Sequence, residues 1–459
     1  MTTSPDLSRY FGTFRAETEA SWLAQAYLPP RLFGQMIEQR SILVTGDEGS
    51  GKTALELYLK RHAAQQLPRL LTVSWRPALP EDTLSSGQIA ELFISQAMDS
   101  LSFAFLALIA REPALYLNAP AWTRDFMHWF VQAFLRGDRQ YHLSRLADGS
   151  SPEGLEIVTR LLNDPPREVL SRDSLPSSIL SHLVSAVRAF GLEGVWIFID
   201  GLDTLFRVSP ERLEKFVASF FSTLDLFEED LFTFKVIISN ELEARLLKTR
   251  GVLTRRFSTY QLRWSEEDLI SLTEKRIALS TQRDDLFLSR LCKDSEWQNW
   301  LKKFAGLSPR GWLELIRPIL DAYLTKGKPL TQSEWSDAYR QFPPRLRLDL
   351  EAERVFIGWG ETSVTGIGYK LLRYLYENRS RPCKKSELYE HVYKEYYKTE
   401  AATKKKDDNR STRIDWEGPL DTALYRLRQT VEWDPREGAD PLYIISERGK
   451  GQIRLENYE

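Results

Sequence analysis

The sequence predicts an α/β protein: a parallel sheet with helices on both faces, then an all-helical segment, then a smaller C-terminal unit. Three observations support this. Apolar runs of strand length alternate with helical periodicity from residue 42 to about residue 262. A glycine-rich turn joins the first of these strands to a helix. Helical patterns fill residues 265–345, and residues 352–459 have strand, helix and turn patterns of their own.

The composition is that of an ordinary soluble globular protein, with 42% hydrophobic and 27% charged residues among 459. A chain of this length predicts about two to four domains. The net charge of −2 means that any surface for nucleic acid must be local. Cys292 and Cys383 lie far apart, which suits a reducing cytoplasm and argues against a disulfide framework.

No targeting or membrane segment is expected. The stretch from Met1 to Asp6 lacks the basic-then-apolar order of a signal peptide. The longest apolar run, Leu101 to Ala110, is about half the length that a bilayer requires, so it predicts a buried helix. The five histidines have no metal-ligand spacing. We therefore expect a cytoplasmic protein without membrane contact.

The segment Gly46–Thr53 (Gly-Asp-Glu-Gly-Ser-Gly-Lys-Thr) is a complete phosphate-binding loop. The apolar run Ile42–Val44 predicts the strand before it, and a helix opens at Ala54. Backbone N–H groups and the helix N-terminus favour a bound phosphate. A chance match is the alternative, and the strand and helix flanks argue against it. We predict ATP and Mg²⁺ as cofactors, bound by Gly46, Gly49, Ser50, Gly51, Lys52 and Thr53.

Further apolar runs predict the rest of the sheet: Leu70–Trp75, Val195–Asp200, Lys235–Asn240 and Tyr260–Leu262. Residues 7–40 are predicted to be helical. A helical insertion is predicted at about 85–190, with breaks at Glu112-Pro113, Asn118–Pro120 and Asp164–Pro166. Its aromatic residues at helical spacings favour a core over a partner surface: Tyr116, Trp122, Phe126, Trp129, Phe130 and Phe134. The predicted domains are 1–262 (ATPase), 263–345 (helical lid) and 352–459, with Pro343-Pro344 at the last boundary.

Two carboxylates follow the predicted strand Val195–Asp200. Asp200 at the strand end can hold Mg²⁺ through water, together with the Thr53 hydroxyl; its alternative role is a turn or cap residue. Asp203 either orients an attacking water or caps the following helix.

The string Phe198–Asp203 resembles the second nucleotide motif of STAND ATPases, signalling relatives of AAA+ proteins. Two departures from these families, Gly201 where many AAA+ enzymes have Glu and Thr204 where STAND proteins often have an acidic residue, imply slow hydrolysis. The resemblance covers about residues 1–345. The 148 residues between Lys52 and Asp200 (200 − 52) are long for this class and imply the helical insertion.

The same resemblance implies further site residues. Asn240 matches the residue that senses the γ-phosphate, with Ser239 a lesser candidate. Arg255 and Arg256 match the position of an arginine finger, although two solvated arginines are the alternative. The segment Phe304–Arg310 resembles the lid turn of these ATPases, so Pro309 and Arg310 are expected to contact nucleotide; a simple helix start with Pro at its first position is the alternative.

Residues 356–459 resemble the winged-helix domain of OmpR/PhoB-type response regulators. The resemblance rests on four stretches: Val364–Leu375 as first helix, a second helix near Lys385 or Ser386, Leu420–Gln429 as recognition helix, and Tyr443–Leu455 as wing. Gln452 departs from the Tyr that the family usually has. A polar insert at about 394–415 is predicted to be a loop, either an electrostatic DNA arm or only solvated.

Periodicity independently predicts the orientation of the recognition helix. Leu420, Leu424, Leu427 and Val431 share one face, which predicts a core stripe. The opposite face is polar and partly cationic, which suits duplex DNA. Glu417 and Asp421 would repel phosphate, and winged helices also bind proteins. The predicted DNA-binding residues are Thr422, Tyr425, Arg426, Gln429 and, at the hairpin tip, Arg448 and Lys450.

Three functions fit these predictions. The first is an ATP-dependent switch with slow ATPase activity, in which nucleotide controls oligomerisation and winged-helix DNA binding, as in a bacterial regulator or an anti-phage defence component. The second is a DNA-remodelling AAA+ ATPase of the origin-recognition or transposition type, which requires a true arginine finger. The third is an ATPase scaffold whose winged helix docks a protein effector. A homo-oligomer or an effector protein is expected as partner.

Overall fold

The computed structural model describes residues 6–78, 86–170, 176–211, 213–214, 217, 231–249, 257–393, 417–432, 439–447 and 449–459. Its contacts form two compact units. One spans Ala16–Arg263, and the other combines Met1–Arg15 with Trp264–Glu459. The helical segment and the C-terminal unit thus belong to one compact body, while the division of the chain into three domains stays a prediction.

The larger unit contains a five-stranded parallel sheet in the order β2-β3-β4-β1-β5. Its members are β1 (Ile42–Gly46), β2 (Leu70–Trp75), β3 (Gly194–Ile199), β4 (Phe232–Ser239) and β5 (Ser258–Gln261). Strands β1 and β3 are buried along their whole length, as expected where helices cover both faces of a sheet. The predicted α/β fold class is confirmed.

Parallel strands place their carboxyl ends at one edge, and this edge holds the candidate site. Helix α5 (Lys52–Gln66) follows β1, α12 (Leu202–Val208) follows β3, and α13 (Asn240–Thr249) follows β4. Asn240, predicted to end a strand, instead begins α13.

The segment before β1 is less helical than predicted. It contains only single-turn helices: α1 (Leu7–Tyr10), α2 (Ala16–Glu19), α3 (Leu23–Ala26) and α4 (Phe33–Met36). The adjacent prolines Pro29 and Pro30, which cannot donate backbone hydrogen bonds, separate α3 from α4.

The predicted insertion between β2 and β3 is helical, with breaks where the prolines predicted them. It comprises α6 (Ser86–Arg111), α7 (Pro113–Leu117), α8 (Ala121–Phe134), α9 (Arg139–Ala147), α10 (Pro152–Asn163) and α11 (Pro176–Ala189). Within α6, Glu91–Arg111 is long and apolar enough to cross a membrane by length and composition, but α6 packs against α8, α10 and β2. Leu101 and Leu106 are fully buried, which confirms the predicted buried helix.

Of the six aromatic residues predicted to form core in the insertion, five do so. Phe126, Trp129 and Phe130 are buried, and Tyr116 and Phe134 pack partly buried against the same core. Trp122 was predicted with them, but 46% of it is exposed. Its position on the first turn of α8 directs it away from the buried stripe.

The smaller unit begins with four helices: α14 (Glu266–Thr281), α15 (Glu296–Ala305), α16 (Pro309–Lys326) and α17 (Gln332–Gln341). Ser265 and Asp268 form the capping box of α14. The helices are interrupted by a short 3-10 turn at Leu288–Arg290. An isolated β-bridge pairs Cys292 with Leu330.

The C-terminal part has two three-stranded sheets. The first is antiparallel and contains β6 (Leu346–Asp349), β7 (Arg354–Ile357) and β8 (Gly360–Thr362). Then follow α18 (Gly366–Glu377), β9 (Cys383–Lys384), α19 (Lys385–Leu388), a π-helical turn at Tyr389–Tyr393, α20 (Glu417–Val431), β10 (Ile444–Glu447) and β11 (Gln452–Leu455). The order β10-β11-β9 and the closing hairpin give a winged-helix topology. Residues 394–416, with the predicted polar insert, lie outside the described residues.

A buried lysine anchors the segment that leads into β1. Lys235 in β4 is fully buried, and its Nζ donates to the carbonyl oxygens of Met36 (2.9 Å), Glu38 (2.8 Å) and Arg40 (3.1 Å). The same Nζ lies 4.4 Å from the ring centroid of Trp196. Burial lowers the pKa of Lys235 to about 7, whereas three carbonyl acceptors favour the ammonium form, which alone offers three donors.

We predict that Lys235→Met lowers the free energy of unfolding of the larger unit by about 3 kcal/mol, because three buried carbonyl groups lose their donor. Urea denaturation followed by tryptophan fluorescence measures the change. Arg61→Met, on the exposed side of α5, removes the same charge and should change stability by no more than about 0.5 kcal/mol. An equal loss in both variants would contradict the anchoring role of Lys235.

Candidate nucleotide-binding site

The loop between β1 and α5 has the backbone geometry of an anion cradle. Gly49 (φ 75°) and Gly51 (φ 91°) adopt left-handed conformations. A side chain on Gly46 would place its Cβ 2.6 Å from Ser50 Oγ, so any larger residue would force the Ser50 side chain to move. The first N–H groups of α5 have no acceptor within their own helix, and the oxygens of a bound phosphate can accept hydrogen bonds from them.

Lys52 lies at the centre of this loop. Its Nζ donates to the carbonyl oxygens of Gly46 and Asp47, both at 3.0 Å, and lies 3.3 Å from Asp203 Oδ2. Only 12% of the lysine side chain and 26% of the Asp203 side chain are exposed, so solvent screens this ion pair only in part. The cation is thus fixed where a phosphate would meet it.

Asp203 joins the loop to the neighbouring strand. While Oδ2 pairs with Lys52, Oδ1 accepts the backbone N–H of Ser239 at 2.7 Å, at the end of β4. The N-cap of α12 is Gly201, with no side-chain cap. The alternative in which Asp203 only caps its helix is therefore wrong; orientation of a water by Asp203 stays a prediction.

Thr53 and Asp200 supply the oxygen atoms for a metal ion. The Thr53 hydroxyl donates to Asp200 Oδ2 at 3.4 Å, so the two predicted Mg²⁺ ligands lie side by side. A hydroxyl and a carboxylate are ligands that Mg²⁺ accepts beside water and phosphate oxygens. The donor set therefore fits the predicted ion.

Asn240 contacts the loop through Asp47. Its Nδ2 donates to Asp47 Oδ1 at 2.7 Å, and its buried Oδ1 has no hydrogen-bond partner among the described residues. Ser239, the lesser candidate, caps α13: its Oγ accepts the N–H of Leu242 at 3.2 Å. The structure thus brings Lys52, Asp200, Asp203 and Asn240 together, while their catalytic roles stay predictions.

Sequence reasoning missed Glu56, a buried carboxyl in α5 that is ion-paired with Lys60. Burial raises the pKa of Glu56, Lys60 opposes this, and the neighbouring Asp200 charge adds to it. Its spacing could have identified it as a site residue, because Glu56 lies three residues after Thr53 and therefore on the same face of α5.

The remaining predicted site residues are the candidate arginine finger, Arg255 and Arg256, and the lid residues Pro309 and Arg310. Arg255 and Arg256 fall outside the described residues. Pro309 and Arg310 open α16 in the smaller unit, where Ser308 is the N-cap and its Oγ accepts the N–H of Gly311 at 3.1 Å. The alternative interpretation, a helix start with Pro at its first position, describes this local structure correctly; a nucleotide contact stays a prediction.

The turn at Gly306–Arg310 is fastened to the hairpin between β7 and β8. Trp359 in this hairpin donates its backbone N–H to Phe304 O at 2.8 Å and its indole Nε1–H to Glu314 Oε2 at 2.7 Å. A side chain on Gly360 would place its Cβ 1.8 Å from Lys303 O, so only glycine permits this approach. We call this contact between Trp359, Gly360 and the 304–314 segment the hairpin clamp. The Arg310 guanidinium lies 5.9 Å from the Trp359 ring centroid.

Helix α20 presents the faces that the periodicity predicted. Its apolar stripe is buried, with at most 2% exposure at Leu420, Leu424, Leu427 and Val431. The opposite side is exposed, and the predicted DNA-binding residues of the helix lie there: Thr422, Tyr425, Arg426 and Gln429. Arg448 lies outside the described residues. Lys450 at the hairpin tip is paired with Glu447 at 3.2 Å.

The hairpin is held to α20 by two residues that sequence reasoning did not single out. Glu432 accepts the backbone N–H groups of Leu442, Tyr443 and Ile444 at 2.5–2.8 Å. Arg428 donates to Ile444 O at 2.9 Å and to Ser446 Oγ at 2.6 Å. Burial raises the pKa of Glu432, and the three N–H donors oppose that shift. Recognition helix and wing therefore form one rigid element.

We predict that Lys52→Ala weakens binding of ATP by at least about 100-fold, because the loop loses its cation and the charged hydrogen bonds it would donate to phosphate. Titration of a fluorescent ATP analogue into the purified protein measures the effect. Arg61→Ala, on the same helix but exposed, is the matched control and should bind like the unmodified protein. Unchanged affinity in Lys52→Ala would mean that the loop is not the nucleotide site.

Comparison with known proteins gives a distant likeness of fold. Three solved structures are similar over nearly the whole chain: Cdc6p from Pyrobaculum aerophilum (13% identity, 98% of this chain and 94% of that chain, TM-score 0.35), the Aeropyrum pernix ORC1 protein in complex with DNA (12%, 100% and 91%, 0.32) and the Aeropyrum pernix ORC2 protein in its ADP form (12%, 98% and 93%, 0.35). No protein-family model and no curated protein matches the chain. At these scores the likeness carries no argument about function.

Proposed function

We propose that this protein is an ATP-dependent switch: nucleotide binding at the loop, with slow hydrolysis, controls oligomerisation and the binding of duplex DNA by the winged helix. The single observation that carries this proposal is the hairpin clamp. It joins the turn that resembles a nucleotide-sensing lid directly to the sheet that leads into the winged helix. A change at the turn would therefore be transmitted to the DNA-binding element without an intervening linker.

ATP binding is supported by the complete loop and by the residues around it. Lys52 would pair with the phosphates, while Thr53 and Asp200 would hold Mg²⁺. The bound ion would neutralise charge on the phosphate oxygens. Asn240, hydrogen-bonded to the loop through Asp47, is positioned to respond when the loop is filled.

Slow hydrolysis is supported by the way the acidic residues are engaged. Gly201 follows Asp200, so the residue next to the metal ligand in the sequence is not a carboxylate. Asp203 is occupied by Lys52 and by the N–H of Ser239, which leaves it poorly placed to orient a water until that ion pair opens. Such a site suits a switch that stays long in its ATP-bound state.

DNA binding is supported by the exposed polar face of α20 and by its rigid attachment to the hairpin. Tyr425 is 62% exposed, and Arg426 adds a cation on the same face. Asp421, which would repel phosphate, is ion-paired with Lys385 at 2.5 Å. The partners we propose are duplex DNA and further copies of this chain in the cytoplasm; a bacterial regulatory or defence role stays a prediction.

We predict that a slowly hydrolysed ATP analogue tightens binding of a duplex by about tenfold in the unmodified protein, a typical coupling between two sites. Trp359→Ala should reduce that coupling to less than about twofold while ATP still binds, because the clamp loses its indole ring and the hydrogen bond to Glu314. Fluorescence anisotropy of a labelled duplex, with and without the analogue, measures both quantities.

Two variants make this test decisive. Trp122→Ala removes an exposed tryptophan of the insertion and should keep full coupling. Glu314→Leu removes the indole acceptor and should lower coupling in the same direction as Trp359→Ala. Full coupling in both clamp variants would refute transmission through the clamp, and a duplex affinity that does not depend on salt would refute DNA binding.

A further inference from the structure

The smaller unit has a cationic cleft of about 850 Å³. It is lined by three segments: 341–345 after α17, 379–382 after α18 and 454–458 at the end of β11. None of these residues belongs to the nucleotide site or to the exposed face of α20. We propose that this cleft binds single-stranded nucleic acid, with phosphates on its arginines and a base on Phe342.

Backbone pairing holds the cleft in shape. Leu346 donates its N–H to Asn457 O at 2.8 Å, and Glu459 donates its N–H to Leu346 O at 3.0 Å. Across the cleft, the Tyr458 hydroxyl donates to Arg379 O at 3.3 Å. All three lining segments are therefore connected by hydrogen bonds, and a ligand would meet a largely preformed site.

The charge of the lining favours an anion. A single carboxylate, that of Glu456, accompanies four exposed arginines: Arg345, Arg379, Arg381 and Arg454. Guanidinium groups bind phosphate oxygens through two parallel hydrogen bonds, which makes arginine suited to a phosphodiester chain.

Two of these arginines are ion-paired with carboxylates, and the other two have no ion pair within the described residues. Arg381 pairs with Glu387 at 2.8 Å, and Arg454 pairs with Glu456. Within the described part of the chain, neither Arg345 nor Arg379 has a carboxylate partner at ion-pair distance. These two cations are the ones that a ligand would neutralise.

Aromatic groups accompany the arginines. Phe342 is 67% exposed at the edge of the cleft, where a nucleobase can stack on it. The Arg379 guanidinium lies 4.5 Å from the ring centroid of Tyr376 and 5.6 Å from that of Tyr458. A cationic groove with an exposed ring is the arrangement that binds single strands without sequence preference.

Continuity with the winged helix favours nucleic acid over an acidic peptide. β11 leads from the hairpin tip at Lys450 to the cleft, and Arg454 is exposed between the buried Ile453 and Leu455. At about 3.3 Å per residue, Lys450 and Arg454 are about 13 Å apart along this path. A strand that leaves a duplex bound at α20 and the tip could follow β11 into the cleft.

The test measures binding of fluorescent oligo(dT) to the full chain by anisotropy over a series of salt concentrations. Arg345→Ala with Arg379→Ala should raise the Kd at least about tenfold and reduce the salt slope by about 1.4, since each lost phosphate contact removes about 0.7. Phe342→Ala should weaken binding about tenfold with an unchanged slope, because stacking is not ionic. Arg160→Ala with Arg167→Ala, two exposed arginines of the insertion, is the charge-matched control and should have no effect.

Further arms separate this proposal from duplex binding and from other ligands. Tyr425→Ala with Arg426→Ala should lose duplex binding and keep oligo(dT) binding, so the two proposals can fail separately. If the double cleft variant unfolds, Arg345→Ala alone should still reduce the slope by about 0.7. Two results would overturn the proposal: cleft variants that bind oligo(dT) like the control, or a poly-glutamate peptide that displaces oligo(dT) at equal charge concentration, which would make the cleft a site for acidic peptides.

Discussion

The ion pair between Lys52 and Asp203 is the contact on which the candidate site depends. It connects the end of β1, the helix after β3 and, through the N–H of Ser239, the end of β4. A triphosphate would compete with Asp203 for the lysine. We propose that release of Asp203 from Lys52 is the first local difference between the empty and the filled site. The ion pair thus fixes the position of the Lys52 cation, and it is the contact that a bound triphosphate would change.

A local difference becomes a switch only if two states of the protein differ in their interaction with the ligand. In the smaller unit, the hairpin clamp makes the Gly306–Arg310 turn, β7 and β8 parts of one compact body. The wing is in turn fixed to α20 by Arg428 and Glu432. Within this unit a nucleotide contact at the turn would therefore act on a rigid element rather than on a flexible tether.

Local sequence patterns predicted much of the fold, whereas the long-range contacts could not be predicted from them. The stripe beginning at Leu420 predicted both faces of α20, because helical periodicity depends only on spacing. The sequence predicted only that Lys235 begins a strand. Its hydrogen bonds to three carbonyls about 200 residues away result from tertiary packing, which no local pattern encodes. The pair of Trp359 with Glu314 likewise joins separate elements, and no local pattern encodes it. The prediction that residues 7–40 are helical was wrong, because only single-turn helices form there and Pro29 and Pro30 separate two of them.

Coupling between the ATP site and the DNA-binding element must be equal in both directions, so it can be measured from the nucleotide side as well. The measurement is calorimetric titration of a slowly hydrolysed ATP analogue into the protein alone and into the protein saturated with duplex. We expect DNA to tighten nucleotide binding by the same factor, about tenfold, by which nucleotide tightens DNA binding. Equal nucleotide affinity with and without DNA would contradict it, because the two sites would then be independent.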